Sequence, residues 1–145
     1  MYLSNKQKNH LNNLDVLKTR KKNTLTRLTR SSKIFKSIIN AIHEKKGENV
    51  ISLDLRKIPE AVADFFIICE ATNPTQLKAI ADFVEFDVKE KAGEMSYKHE
   101  GRQGEQWILI DYVNIVVHIM LPEPRKFYQL EEMWSDAPGM EHPDK

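Results

Sequence analysis

Hydrophobic residues are most concentrated in Gln106 to Leu121, QWILIDYVNIVVHIML. This Ile- and Val-rich stretch predicts two strands that are buried on both faces and reverse at Tyr112-Val113-Asn114. Asn114 is expected to supply the turn geometry, because Asn tolerates a positive φ. The stretch is too short and too interrupted to span a bilayer. It predicts a core hairpin with two conspicuous polar side chains, Asp111 and His118.

The region before this pair predicts one helix and two strands. Apolar residues at helical spacing predict a helix that begins near Ser32 and stops at Gly47: Phe35, Ile38, Ile39 and Ile42. Residues 49–55 alternate in the manner of a strand, with one more polar face. Pro59 breaks a short turn, and residues 65–69 (FFIIC) predict a buried strand.

A second helix gives the clearest local signal. Asn73, Pro74 and Gln76 form a capping-box sequence with proline at the first helical position. A stripe of apolar residues follows: Leu77, Ile80, Ala81, Val84, Val88 and Ala92. Gly93 ends the predicted helix.

The C-terminal half completes the predicted topology. Residues 95–101 predict an edge strand, and residues 101–104 a hairpin connection. Pro124 is expected to open a final helix with one stripe of apolar residues: Phe127, Leu130 and Trp134, with Met133 beside them. The order αββαβββα predicts a single α/β (α+β-like) domain with a mixed five-stranded sheet flanked by helices, because hairpins are antiparallel and strand–helix–strand crossovers are parallel.

Charge separates the chain into two parts. Residues 1–33 contain nine Lys and Arg against one acid, a net +8, while the remainder contains 13 bases and 20 acids, a net −7. Three interpretations of this basic N-terminal extension remain open: a flexible solvated tail, an arm that binds nucleic-acid phosphates, or an organellar transit peptide. It has no apolar core of a secretory signal.

Catalytic motifs are absent from the sequence. It has no phosphate loop, GxGxxG, GxSxG or HExxH, and its five histidines lack metal-ligand spacing. Asp111 could orient His118 as an acid–base pair, but a histidine hydrogen-bonded within the sheet explains the same residues. Cys69, the single cysteine, lies in an apolar strand and is predicted to be a buried small hydrophobe.

Several blocks occur together in one order: ADFFII at 63–68, Glu100-Gly101, WILIDY at 107–112, VVHI at 116–119, RKFYQLE at 125–131, and Trp134. In these blocks the chain resembles the ribosomal silencing factor family (RsfS, Iojap-like). The resemblance covers roughly residues 34–137, between the extension 1–33 and a polar tail, 138–145. The chain departs from the family at Ala71 and Asn73, where Gly and Ser are usual, and at Val113-Asn114, where Gly-Asp is usual.

The resemblance implies a nucleotidyltransferase-like topology without catalysis, cofactor, metal or small-molecule substrate. A nucleotidyltransferase needs paired carboxylates for Mg²⁺, and Asp111 has Leu109 and Val113 at the partner positions. The implied function is binding to the large ribosomal subunit, through the universal ribosomal protein on its subunit-joining face. The bound factor would block the small subunit and repress translation in starved or stationary cells.

The resemblance also implies a cytoplasmic homodimer when free, with no membrane. Partner-binding residues are predicted on the central strands and the closing helix, because large aromatics with nearby charges are typical of interface hot spots: Trp107, Asp111, His118, Arg125, Tyr128, Glu131 and Trp134. The alternative is an RNA-binding module that acts, or contacts rRNA, through the basic arm.

Overall fold

A computed structural model describes residues 28–101 and 104–144, which fold as one α/β domain. The elements are α1 (Lys33–Glu44), β1 (Glu48–Asp54), β2 (Phe65–Glu70), α2 (Pro74–Ala92), β3 (Lys98–Glu100), β4 (Trp107–Asp111), β5 (Ile115–Met120), α3 (Pro122–Tyr128), α4 (Leu130–Met133) and β6 (Gly139–Glu141). No helix in this part of the chain is long and apolar enough to cross a membrane. The basic extension up to residue 27 lies outside the described residues.

The sheet is mixed, as predicted, but has six strands rather than five in the order β3-β4-β5-β2-β1-β6. The β2–β5 pair is parallel and the other neighbours are antiparallel. The sixth strand comes from the predicted polar tail, where residues 139–141 pair with Ile51, Ser52 and Leu53. All three of its residues are exposed, so hydrophobic alternation gave no signal for it.

Both long helices form where the sequence predicts them. Gly47 follows α1 as predicted, but it is not the residue with a positive φ. The Asn73 side chain accepts from Gln76 N at 2.8 Å, and Gly93 follows α2 with φ of 69°. After α1, the positive φ belongs to Lys46 rather than to Gly47. Gly47 instead donates its N–H to Ile42 O at 2.9 Å, and an added Cβ would lie 2.5 Å from the Ile42 side chain. Close approach therefore requires glycine there.

The central hairpin forms as predicted, but the positive φ of its turn was assigned to the wrong residue. Val113 has φ of 71°, and Asn114 is not among the positive-φ residues. Asn114 N donates to Tyr112 O at 2.9 Å across Val113, while Asp111 Oδ1 accepts from Val113 N at 2.7 Å. These two bonds fix a β-branched residue in a conformation that costs it energy.

The edge strand is shorter than the predicted 95–101, because only residues 98–100 pair with β4. Ser96 turns away from the sheet, and its Oγ donates to Glu85 Oε1 at 3.1 Å. Arg102 and Gln103, in the predicted hairpin connection, lie outside the described residues.

The closing helix differs from its prediction in start and continuity. It begins at Pro122, two residues before the predicted Pro124, and breaks at Gln129, which has φ of 49°. The break changes the helical phase, so Phe127 is 46% exposed while Leu130 is 1% exposed. The predicted apolar stripe through Phe127 is therefore wrong, and Tyr128 packs against the core in its place.

The sheet separates two apolar cores. On the first face, α1 and α2 cover alternate residues of β2, β4 and β5: Phe65, Ile67, Cys69, Ile108, Ile110, Ile115, Val117 and Ile119. On the second face, α3, α4 and the segment 55–63 cover the intervening residues: Phe66, Ile68, Trp107, Leu109, Val116 and Met120. The central strands are therefore buried on both sides, as the unbroken apolar run predicts.

Candidate functional site

Three of the predicted partner-binding residues share the second face of the sheet. The β4–β5 register places Trp107 opposite Met120, Leu109 opposite His118, and Asp111 opposite Val116. Directly opposed residues of an antiparallel pair point to the same face, so Trp107, Asp111 and His118 lie on one side. Trp107 is 7% exposed, and Asp111 and His118 have no exposed surface.

Trp107 and His118 form a buried hydrogen bond. Trp107 Nε1 donates to His118 Nδ1 at 3.1 Å. An indole N–H can only donate, so Nδ1 must present a lone pair and the imidazole proton must reside on Nε2. The bond therefore selects a neutral ring and one tautomer. This arrangement matches the predicted histidine hydrogen-bonded within the sheet.

Asp111 has a structural task at the end of β4. Its carboxylate accepts from the backbone N–H of Val113, and its own backbone O accepts from Tyr97 N at 2.7 Å. The side chain thus supports the strained turn, and the backbone joins the turn to the segment before β3. These contacts explain the buried carboxylate without an acid–base reaction, because hydrogen bonds to backbone donors offset part of its desolvation.

Aromatic rings extend the buried pair towards the surface. Tyr128 lies 4.9 Å from Trp107 between ring centroids, and Trp134 lies 5.9 Å from Phe66 in an edge-to-face arrangement. Phe66 in turn meets the His118 ring at 4.6 Å. Tyr128 and Trp134 are partly exposed. The aromatic cluster therefore has a buried base and a partly accessible edge formed by α3 and α4.

Arg125 joins the closing helix to the sheet. Its Nη1 donates to Asn49 O at 2.6 Å and lies 3.4 Å from Glu70 Oε1, while its Nε lies 3.6 Å from Glu131 Oε1. The Arg125 side chain is only 11% exposed. Arg125 and Glu131 also line a cleft of about 700 Å³ between β1, β6 and the end of α1. Two predicted binding residues are thus already engaged with each other.

A polar network on the first face was missed at the sequence level. Arg30 Nε donates to Ser52 Oγ at 3.0 Å, and Ser52 Oγ lies 2.8 Å from His142 Nε2. Burial, followed by the positive charges of Arg30 and His43, lowers the pKa of His142. Ser52 thereby connects Arg30, near the start of the described chain, to His142, the residue that follows β6. The only feature of the sequence that indicated this network was the polar residue Ser52 within a predicted strand.

The described part of the chain places no group of three or more His, Cys, Asp or Glu residues where they could bind a metal ion. Cys69 is fully buried, as predicted, and burial raises the pKa of its thiol to about 12. A thiol with this pKa is almost entirely protonated at neutral pH and therefore a poor nucleophile.

Comparisons with known proteins agree with the resemblance in the sequence. The family model described as "Ribosomal silencing factor during starvation" matches residues 29–145. The ribosomal silencing factor RsfS of Halalkalibacterium halodurans is 37% identical over 103 residues, covering 71% of this chain and 86% of the relative. A crystal structure from Chromobacterium violaceum is 34% identical with a TM-score of 0.66, covering 70% of this chain and 83% of that one. The mouse "Mitochondrial assembly of ribosomal large subunit protein 1" is 30% identical over 94 residues, covering 62% of this chain and 41% of the relative.

Proposed function

Because the chain belongs to the ribosomal silencing factor family, we propose that it binds the large ribosomal subunit at its subunit-joining face and blocks the small subunit. The match over residues 29–145 is the observation that supports this proposal most directly. The mouse relative named for large-subunit assembly supports the choice of subunit. Repression of translation follows, because a subunit occupied on this face cannot form a complete ribosome.

The contact is made by the partly exposed edge of the aromatic cluster. Tyr128 on α3, Glu131 on α4 and Trp134 directly after α4 are partly exposed, whereas Trp107, Asp111 and His118 are buried. We assign the first three to direct contact and the buried three to support of that surface. Arg125 fixes the position of α3 and Glu131 through its ion pairs. Rigid aromatic anchors on a supported surface are typical of interface hot spots.

Charge favours a basic partner. Residues 34–145 carry a net −7 outside the basic extension. A negative domain is attracted to a basic ribosomal protein, and this attraction accelerates association more than it tightens the complex. The universal ribosomal protein of the subunit-joining face is the proposed contact. The free protein is proposed to be a cytoplasmic homodimer, and rRNA contact by the arm remains a separate prediction.

Sedimentation with purified ribosomal subunits tests the function. The protein should migrate with large subunits alone, and adding it before mixing should lower the fraction of joined ribosomes. Equal migration with both subunits, or with neither, would contradict the proposal. Trp134→Ala should weaken large-subunit binding by about tenfold or more if the residue is a hot spot. Phe86→Ala is the matched control, because Phe86 is an exposed aromatic on α2, across the sheet from α4.

A further inference from the structure

The last strand, β6, is held to the sheet with very little apolar burial. All three of its residues are exposed, and they pair with only three residues of β1. Ala137, just before the strand, is 8% exposed and packs in the core of the second face. Between residues 138 and 144 every residue is exposed except His142, which is partly buried. His142 is therefore the side chain that fastens this end of the described chain to the domain.

Backbone hydrogen bonds frame the strand at both ends. Asp54 N donates to Pro138 O at 2.9 Å before β6, and His142 N donates to Val50 O at 2.8 Å after it. The His142 ring also packs against Phe35 of α1, with the two ring centroids 5.6 Å apart. Short exposed strands with few buried contacts open locally more readily than a core does. The contacts of His142 should thus decide whether β6 remains paired.

The hydrogen bonds of Ser52 specify a neutral His142. Ser52 has no exposed surface, and its Oγ lies 3.0 Å from Arg30 Nε and 2.8 Å from His142 Nε2. Arginine can only donate, so the hydroxyl accepts from Arg30 and its own proton needs an acceptor. Among the described residues that acceptor is His142 Nε2, which must present a lone pair. The imidazole proton consequently lies on Nδ1, and the ring is uncharged.

Protonation of His142 is incompatible with this arrangement. Nε2 would become a second cationic donor to a hydroxyl that already accepts from Arg30, and the Ser52 proton would lose its acceptor. A buried donor without an acceptor costs free energy, and two positive groups that share one oxygen repel each other. Moving β6 away from β1 returns the imidazolium to water and removes both costs.

Charged groups on all the neighbouring elements act on His142. The segment before α1 contributes Arg30, and α1 contributes His43. The Asp54 carboxylate, on the same face of β1 as Ser52, lies 2.7 Å from Arg56 Nη2. The remaining charged residues line two clefts that His142 also lines: Glu44, Lys46, Glu48, Lys91, Arg125, Glu131, Glu141 and Asp144. The pKa of His142 is nevertheless lowered, by burial and then by Arg30 and His43, so the closed strand favours the neutral ring.

We propose that β6 is an acid-sensitive clasp, in which protonation of His142 breaks its hydrogen bond with Ser52 and releases residues 138–144 from β1. Release leaves Asp54 N and Val50 O without their partners and makes β1 the edge of the sheet. An unpaired edge strand is a template for an extended segment of another chain. The clasp begins to weaken below the ordinary histidine pKa of about 6.5 and weakens further until the pH passes the lowered pKa of His142.

Amide hydrogen exchange, followed by NMR from about pH 7.5 to pH 5, tests the clasp. After correction for intrinsic exchange rates, protection of the His142 and Asp54 amides should fall with the pH. The fall should reach at most about tenfold per pH unit, because opening takes up one proton. Amides of β2 and β5 should keep their protection. Equal loss in both sets would indicate global unfolding, and unchanged protection of His142 and Asp54 would indicate no acid response; either result would overturn the proposal.

Substitutions at two histidines identify the group that responds to acid. His142→Gln retains a neutral side chain that can accept from Ser52 at every pH, so the acid response should disappear. His43→Gln is the matched control on α1 and should leave most of the response in place. Loss of the response in His43→Gln together with its persistence in His142→Gln would overturn the assignment to His142.

The His142 ring in the unmodified protein provides a check that needs no variant. Its NMR signals should titrate below pH 6.5, because the closed strand disfavours the imidazolium. A ring that titrates at or above that value would overturn the proposal, since opening would then take up no proton. These measurements use the free protein without ribosomes, so their outcome is independent of the proposed function.

Discussion

The two faces of the sheet differ in the kind of side chain that the central strands bury. Beneath α1 and α2, the central strands present only apolar side chains, and Phe35 meets Phe65 edge-to-face at 5.1 Å. On the opposite face, the same strands bury Asp111 and His118 next to Trp107. The central strands thus form an apolar core on the face beneath α1 and α2, with the buried Ser52 beside them on β1, whereas on the opposite face they themselves bury polar groups that need hydrogen-bond partners.

We propose that this difference separates the residues that stabilise the domain from those that support the proposed partner-binding surface. Burying a polar group costs free energy unless it is hydrogen-bonded, so Asp111 and His118 are tolerated only in one geometry. That geometry fixes Trp107, against which the partly exposed Tyr128 packs. The face beneath α1 and α2 stabilises the domain, and the face beneath α3 and α4 supports the proposed contact surface. Substitutions on the two faces should therefore have different consequences.

The largest expected loss of stability is for a substitution on the face beneath α1 and α2. Ile67 has no exposed surface, so Ile67→Ala should lower the free energy of unfolding by about 2–5 kcal/mol through lost burial and a cavity. Chemical denaturation measures the loss, and labelling of Cys69 reports on the same core, because its thiol becomes reactive only when the core opens. Ile39→Ala, at a partly buried position, should cost much less. Equal costs at both positions would contradict the expectation that the extent of burial sets the loss of stability on this face.

The second prediction concerns the polar face. Trp107→Phe retains an aromatic ring but removes the donor to His118 Nδ1, and leaving a buried acceptor unsatisfied should cost about 1–3 kcal/mol. Trp134→Phe makes the same change at a partly exposed position and should have little effect on stability. If Trp107→Phe is as stable as the original protein, the indole–imidazole bond does not stabilise this face.

The third prediction uses pH to examine the edge of the first face. The pKa of His142 is lowered in the folded state, so between that pKa and the unfolded value of about 6.5 the unfolded chain binds more protons. The contribution of His142 is therefore complete above pH 6.5 and is lost as the pH falls through the folded pKa. Denaturation at several pH values should show this loss, and His142→Asn should diminish it. His99→Asn, at an exposed position, should leave the pH dependence intact.

The smallest expected effect is at the turn that joins the central strands. Val113→Gly should raise the free energy of unfolding by about 0.5–1 kcal/mol, because glycine adopts a φ of 71° without steric cost, although it loses more entropy on folding. Thermal denaturation measures the gain. Val113→Ala retains a Cβ and should give less. A lower melting temperature for the glycine variant would indicate that packing of the Val113 side chain outweighs its strain.

Much of the fold was predictable because its signals are local. Asn73, Pro74 and Gln76 specify the start of α2 through contacts within one turn, and Gly93 specifies its end. The apolar run through β4 and β5 predicted strands buried on both faces. The site was less predictable: the sequence grouped Trp107, Asp111 and His118 correctly on the central pair but gave no measure of their burial, which depends on α3 and α4.

The sequence by itself determined the family, the two long helices, the central strand pair and the opposite charges of arm and domain. The family follows from the resemblance of its motif blocks, and the other features follow from short-range capping chemistry, hydrophobic periodicity and composition. Only the tertiary structure decided that Gly139–Glu141 completes the sheet, that Val113 rather than Asn114 has the positive φ, and that Arg125 is engaged with Glu70 and Glu131. Each of these depends on partners distant in sequence or on competition between neighbouring residues, which periodicity does not record.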